Sequence, residues 1–174
     1  MLFINCSNRE RNCFNILKNI MSDDDKFISL SNKDMKFCLG CQSCQRDLPR
    51  HCVLNDFITN TLYDEILAAD EIVFASPMYI SNVNAIFKNV LDRMNTFYNH
   101  GLLKGKKFYL LMTGFASKED NAMEIQGIID YFNGIKEYMY FDFEFLDYFV
   151  DSEDDNTINE NKSKIESIKN RLRR

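Results

Sequence analysis

Four of the six cysteines fall in the run Cys38-Leu-Gly-Cys41-Gln-Ser-Cys44 and at Cys52. Thiols this dense in a small chain imply metal, redox or disulfide chemistry. Three of them at two-residue spacing, with a fourth close by, are what a [4Fe-4S] cube needs, because its irons are soft and take thiolates converging from a short, tightly wound segment. Structural zinc more often uses Cys-x2-Cys pairs set far apart, so the run suits zinc less well, although His51 or Cys52 could complete a tetrahedral site. A reversible disulfide, or free thiols serving only as small apolar groups, are further readings. Cys6 and Cys13 stand apart and are explained by core or loop packing. Beyond the thiols, side-chain chemistry is sparse. The only histidines are His51 and His100, and no Ser-His-Asp or metal-hydrolase constellation can be placed.

Three further segments have the composition of ligand loops. Cys6-Ser-Asn-Arg-Glu-Arg-Asn-Cys13 follows an apolar strand and leads into a helix. Small polar side chains and free N-H groups there make an anion site, with Arg9 or Arg11 as a charged clamp; an ordinary helix cap by Ser7 or Asn8 is the plainer alternative. Ser76-Pro77-Met78-Tyr79 follows the apolar Ile72 to Ala75 and reads as a sharp turn, with Asn82 capping the next helix. Pro77 frees neighbouring backbone groups to face a ligand, and Tyr79 offers a flat ring to a planar cofactor. Thr113-Gly114-Phe-Ala-Ser117 is small and polar, and Gly114 permits close backbone approach. Neither the P-loop pattern nor Gly-x-Gly-x-x-Gly occurs, which argues against a nucleoside triphosphatase or a tightly held dinucleotide.

The elements that must position these segments alternate. Strands are expected near Leu2 to Asn5, Lys26 to Leu30, Glu71 to Ala75, Lys107 to Thr113 and Glu137 to Leu146. Helical stripes lie between and after them, the clearest being Val83, Ile86, Phe87, Val90, Leu91, Met94, Phe97 and Ile125, Ile128, Ile129, Phe132. Shorter stripes are Leu17, Ile20, Met21, then Ile58, Leu62, Ile66, and finally Ile158, Ile165, Ile168, Leu172. Alternation of this kind predicts an α/β doubly wound parallel sheet with helices on both faces. Phe141, Phe143 and Phe145 alternate with Asp142 and Glu144, the pattern of an edge strand with one wet face. Ligands of such sheets bind at the carboxyl ends of the strands, where the loops at Cys6, Ser76 and Thr113 all fall.

At 174 residues, residues 1–174 are expected to form a single domain, with a cysteine-rich insertion at about 36–56. The net charge of -5 speaks against a nucleic-acid partner. The basic run from Lys162 to Arg174 follows acidic Asp151 to Asp155, which suits the dipole of a final helix. No apolar run is long enough to cross a membrane. Met1 to Asn5 lacks a basic lead and reads as a strand instead of a secretory signal, so a cytoplasmic location with reduced thiols is expected.

Taken together and in this order, the loops resemble the flavodoxin-like NAD(P)H-dependent FMN reductases, and more narrowly the iron-sulfur flavoproteins. Ser7-Asn-Arg-Glu-Arg-Asn12 is similar to that family's Gly-Ser-Pro-Arg-x-Gly-Asn-Thr phosphate loop. Ala75-Ser-Pro-Met-Tyr79 with Lys88 and Asp92-Arg93 is similar to its Gly-Ser-Pro-Val-Tyr segment with downstream Lys and Asp-Arg, and Cys38 to Cys52 followed by Asp56 to its compact cysteine motif. The resemblance covers most of residues 2 to 115. It implies a five-stranded sheet in the order 2-1-3-4-5 and an FMN whose phosphate is held by Ser7, Arg9, Asn12 and Cys13. The flavin ring would lie along the loop from Ser76 to Asn82, chiefly Pro77, Met78 and Tyr79, with Thr113 and Gly114 at its far edge. It further implies NAD(P)H as a transient hydride donor, a small-molecule or protein electron acceptor, a homodimer or higher oligomer, and Cys38, Cys41, Cys44 and Cys52 as candidate cluster ligands. Cys6, Asn8, Arg11 and Cys13 depart from the family pattern in the phosphate loop. A flavodoxin-type electron carrier without nicotinamide activity, or a thiol or metal redox-sensing module without flavin, are the alternatives.

Overall fold

The structure is a computed structural model that describes residues 1–46, 52–151 and 156–173; His51 and the acidic residues 152–155 lie outside it. Five parallel strands, β1 (Leu2–Asn5), β2 (Lys26–Ser29), β3 (Glu71–Tyr79), β5 (Lys107–Gly114) and β6 (Asp142–Val150), lie in the order β2-β1-β3-β5-β6. The two-residue β4 (Asn82–Val83) pairs antiparallel with β3, so the expected order 2-1-3-4-5 holds once this short strand is counted. Helices α1 (Asn12–Ile20) and α6 (Lys162–Leu172) cover one face, where Phe3, Val73 and Leu111 meet Ile16, Leu17, Ile165 and Ile168. The other face carries α2 (Tyr63–Ala68), α3 (Ala85–Arg93) and α4 (Ala122–Met139) around Ile4, Phe74, Phe87, Phe108 and Phe132. A four-residue α5 (Thr157–Glu160) leads into α6. Among the described residues no helix is long and apolar enough to cross a membrane.

Three expectations are corrected. Ser76-Pro77-Met78-Tyr79 is not a turn: it is the end of β3, which runs past the last residue of β1 because Asn5 pairs with Ala75. Proline is tolerated there because β1 no longer flanks it. The turn comes at Ile80 and Ser81, both left-handed with φ of 47° and 59°, and folds the chain back into β4. The helix cap is accordingly Asn84, not Asn82. Its side chain accepts from the N-H of Phe87 at 3.0 Å, while Asn82 sits exposed opposite Tyr79.

The last strand also starts later than expected. The apolar stripe of α4 continues through Ile135 to Met139, so Glu137 to Met139 are helical, and Tyr140 ends the helix in the left-handed conformation. Phe143 of β6 stacks on Phe132 of α4 at 4.8 Å, and the polar side of β6 is met by α6 through Arg171 to Glu144 at 3.1 Å. Both faces of this edge strand are therefore covered within the chain.

Gly114 is needed for a reason that the sequence hides. A Cβ there would lie 2.3 Å from the Tyr148 hydroxyl, which is pinned by donating to the Ala116 carbonyl at 2.9 Å and accepting from Asn121 at 3.1 Å. Gly114→Ala should therefore cost about 1–3 kcal/mol by overpacking, read as a lower urea midpoint. Adding Tyr148→Phe, which removes the clashing oxygen, should recover part of it. An unchanged midpoint in the single variant would show that Tyr148 yields freely.

Candidate functional site

Two sites emerge, at opposite ends of α3. The first lies at the carboxyl edge of β1, β3 and β5. The N-H of Cys6 donates to the Ala75 carbonyl at 2.8 Å, and Pro77 pairs with Thr113. Asn84 ties the assembly together, donating to the Cys6 carbonyl at 2.6 Å while its N-H reaches the buried Ser76 hydroxyl at 3.3 Å. The Ser76 side chain thus holds the loops in place from beneath. Cys13 and Thr113 meet at 3.4 Å. Burial pushes the Cys13 thiol up to about 12, against the opposing effect of the Thr113 hydrogen bond. It is a neutral packing group there.

In the first loop, the Ser7 hydroxyl accepts the N-H of Arg9 at 3.1 Å, and the side chains of Asn8, Arg9 and Glu10 are exposed. Among the described residues, the N-H groups of Asn8, Glu10 and Arg11 have no protein acceptor. They stand just before α1, where backbone donors and the helix dipole favour an anion. Asn12 is engaged elsewhere: its amide donates to Asp151 at 2.8 Å, and its carbonyl oxygen accepts from Thr157 at 3.3 Å. Pro77 is buried, Met78 half-buried and Tyr79 exposed, an apolar ledge beyond the end of β1. The donors, the cation of Arg9 and this ledge suit a phosphate joined to a planar ring.

The second site is the thiol pocket. Cys38, Cys41, Cys44 and Cys52 all line one cavity of about 70 Å³, together with Asp92, Arg93 and Asn95. All four are free thiols. Burial raises the Cys44 thiol, with the adjacent Cys52 and Cys38 adding to the effect, whereas hydrogen bonding to Ser43 lowers that of exposed Cys41. Among the described residues, no three metal-ligating side chains stand close enough together to hold an ion as they are. The donor set is that of a soft metal centre, and closing on one requires the sulfurs to turn inward.

A buried network braces this pocket. Asp56 and Arg93 pair at 2.5 and 3.1 Å with both side chains fully buried. Asp56 also accepts the N-H of Lys36 at 2.8 Å and of Thr59 at 3.2 Å, while Arg93 donates to the Lys36 carbonyl, the Thr59 hydroxyl and the Cys52 sulfur. The two ends of the cysteine segment are thereby fastened to the last turn of α3. Asp56 and Arg93 entered the sequence reading as parts of motifs but not as partners. Two signals pointed to them. Asp56 precedes the stripe Ile58, Leu62, Ile66 in the position of an N-cap, and Arg93 occupies the apolar stripe of Ile86, Val90 and Phe97, where a charge needs a partner. The neighbouring Lys88 and Asp92 form a solvent-exposed ion pair, as their spacing predicts.

Residues 1–129 match the family model of the NADPH-dependent FMN reductases. The chain belongs to that family. Among curated relatives of this family member, an iron-sulfur flavoprotein of Archaeoglobus fulgidus is 34% identical over 99 residues, 53% of this chain and 47% of that one. An iron-sulfur flavoprotein of Methanosarcina thermophila is 30% identical over 105 residues, covering 60% and 53%. The chain thus spans about half the length of the curated relatives it matches. In fold it resembles the Trp repressor binding protein of Bacillus subtilis, with a TM-score of 0.69 at 14% identity and coverage of 97% and 96%. An FMN-dependent NADH-azoreductase of Bacillus anthracis, solved with FMN, gives a TM-score of 0.58 at 12% identity, covering 98% of each chain. The chain shares its flavodoxin-like architecture with these solved structures.

Proposed function

We propose that this chain is an FMN-dependent oxidoreductase that draws reducing equivalents from NADH or NADPH and delivers them to an electron acceptor, with a [4Fe-4S] cluster on Cys38, Cys41, Cys44 and Cys52. The observation that carries the flavin assignment is the meeting of three loops at one sheet edge, fastened by Asn84 and offering unpaired N-H donors beside an apolar ledge. Bound FMN supplies hydride and single-electron chemistry, so no side-chain acid or nucleophile is required. The chain's own residues bind and orient. The N-H groups of Asn8, Glu10 and Arg11 and the cation of Arg9 hold the phosphate, with the Ser7 hydroxyl supporting the loop. Asn12 joins them by exchanging Asp151 for the phosphate, and Cys13 backs the loop through Thr113. Pro77, Met78 and Tyr79 would shield the ring from water, with Asn82 beside Tyr79 and Gly114 beside Thr113 completing the site.

The cluster assignment is supported by the donor set: four soft thiols line one cavity, and relatives of the chain are named iron-sulfur flavoproteins. Exposed Tyr138 and Tyr140 support a homodimer, and reduced, unbridged thiols fit a cytoplasmic protein.

The test is protein purified without oxygen, with flavin, iron and acid-labile sulfide quantified on one sample and NADH and NADPH oxidation then followed. One FMN and about four irons and four sulfides per chain are expected, with nicotinamide oxidation in the presence of an acceptor. Flavin without iron would remove the cluster. Flavin without nicotinamide oxidation would leave an electron carrier, and the absence of flavin after FMN is added would overturn the assignment.

A further inference from the structure

Three of the four pocket thiols arrive on one short turn. Cys38, Cys41 and Cys44 have their relative positions set by local backbone: the Gly40 N-H donates to the Cys38 sulfur, and the Cys41 thiol donates to the Ser43 hydroxyl. Cys52 arrives separately, on the far side of the segment 45–51. Among the described residues its sulfur is held by Arg93, whose Nη2 lies 3.5 Å from Sγ, with the Tyr63 hydroxyl also against it. That guanidinium is itself immobilised. It is fully buried, paired with Asp56, and bound to the Thr59 hydroxyl at 2.6 Å and the Lys36 carbonyl at 3.0 Å. Among the described residues, its Nε has no partner, and neither have the buried Thr96 hydroxyl and Asn89 carbonyl oxygen beside it. A cation is costly to bury, and a surface pair would brace the segment at less expense. Its placement against a sulfur in the one cavity where four thiols gather gives that burial a purpose.

We propose that Arg93 is a positioning residue for the metal centre: held by Asp56, it orients the Cys52 sulfur into the thiol pocket and donates to it as the fourth ligand. The inference rests on reading the pocket as a metal site. Groups that hold a ligand from behind typically contribute a factor of about 10–100 to metal affinity. Arginine suits the task because its planar fork reaches Asp56, Thr59 and Cys52 at once, which the point charge of lysine does not. Among the described residues, Cys38 and Cys41, exposed and locally bonded, have no comparable brace.

The experiment is a double-mutant cycle on the full chain, stripped of iron and reduced, with Co²⁺ as the probe and thiolate-to-cobalt absorption as the signal. Wild type, Arg93→Lys, Cys52→Ala and the double variant are titrated, with FMN binding and thermal melts recorded for each. Arg93→Lys should weaken Co²⁺ binding about 10–100-fold in the wild-type background. In the Cys52→Ala background the same substitution should change it less than about 3-fold, because the sulfur through which Arg93 acts is gone. An equal loss in both backgrounds would mean that Arg93 only braces the segment, and no loss in either would mean that it is a bystander; each overturns the proposal while leaving the metal site standing. No thiolate-cobalt signal in wild type would instead overturn the metal site and the proposal with it. Should Arg93→Lys lose its cooperative melt or its FMN, Asp56→Asn takes its place in the cycle. It leaves the guanidinium present but unclamped, and the same disappearance of its effect without Cys52 is expected.

Discussion

Asp56→Ala is expected to destabilise the protein by about 3–5 kcal/mol, the loss typical when one partner of a buried ion pair is removed. The substitution leaves the Arg93 guanidinium fully buried without its counter-charge and strips the N-H groups of Lys36 and Thr59 of their acceptor. At roughly 2–4 °C per kcal/mol for a chain of this size, the melting temperature should fall by about 6–20 °C. The pH dependence follows from the same geometry. Burial alone would raise the Asp56 carboxyl, but hydrogen bonds from Arg93 and from the two backbone N-H groups overcome it and hold the group below its ordinary value. A carboxyl lowered on folding contributes stability that is present in full above its unfolded value of about 3.9 and is lost as pH falls through the lowered folded value. Urea midpoints of wild type and Asp56→Ala should therefore stay well apart from pH 8 to pH 5 and converge below about pH 4. A gap of less than about 1 kcal/mol at pH 7 would show that the segment relaxes to let water reach Arg93.

Cys44→Ser should abolish iron and acid-labile sulfide while leaving FMN bound. The prediction follows from the separation of the two sites. The N-terminal end of α3 is fastened to the first loop by Asn84, its C-terminal end reaches the thiol pocket through Arg93, and nine helical residues span about 13 Å. Among the described residues, the side chains that act on Cys44 are Gln45, Cys52 and Cys38, none of them in the flavin loops. It is also only half-buried, so the substitution should cost the fold little. Metal and flavin analysis of one preparation decides the matter. Iron retained at the wild-type level would remove Cys44 from the ligand set, and flavin lost together with iron would show that the sites are coupled through the fold.

Much of the architecture is legible in local pattern. The apolar runs at Leu2 to Asn5 and Ile72 to Ala75 and the stripe from Ile86 to Phe97 encode strands and helix because burial selects side chains with the period of each element. The errors lie where backbone pairing continued beyond the pattern. Ser76 and Pro77 did not look like strand, yet pairing with β5 carries β3 to Pro77 and pairing with β4 carries it on to Tyr79. The polar, aromatic end of α4 looked like strand because Tyr138 and Tyr140 favour one, although Met139 keeps the helical stripe.

Taken by itself, the sequence determined the alternation of elements, the three loops at one sheet edge and the presence of four close-set thiols, all features written in composition and short-range spacing, while the sheet order was implied by the family resemblance. Tertiary structure alone decided that Asn84 fastens the loops, that Gly114 makes room for Tyr148, and that Asp56 and Arg93, 37 residues apart, meet beside Cys52. Those outcomes depend on where polar groups from distant segments converge out of water. Periodicity records which faces are buried, but not which buried polar groups face one another.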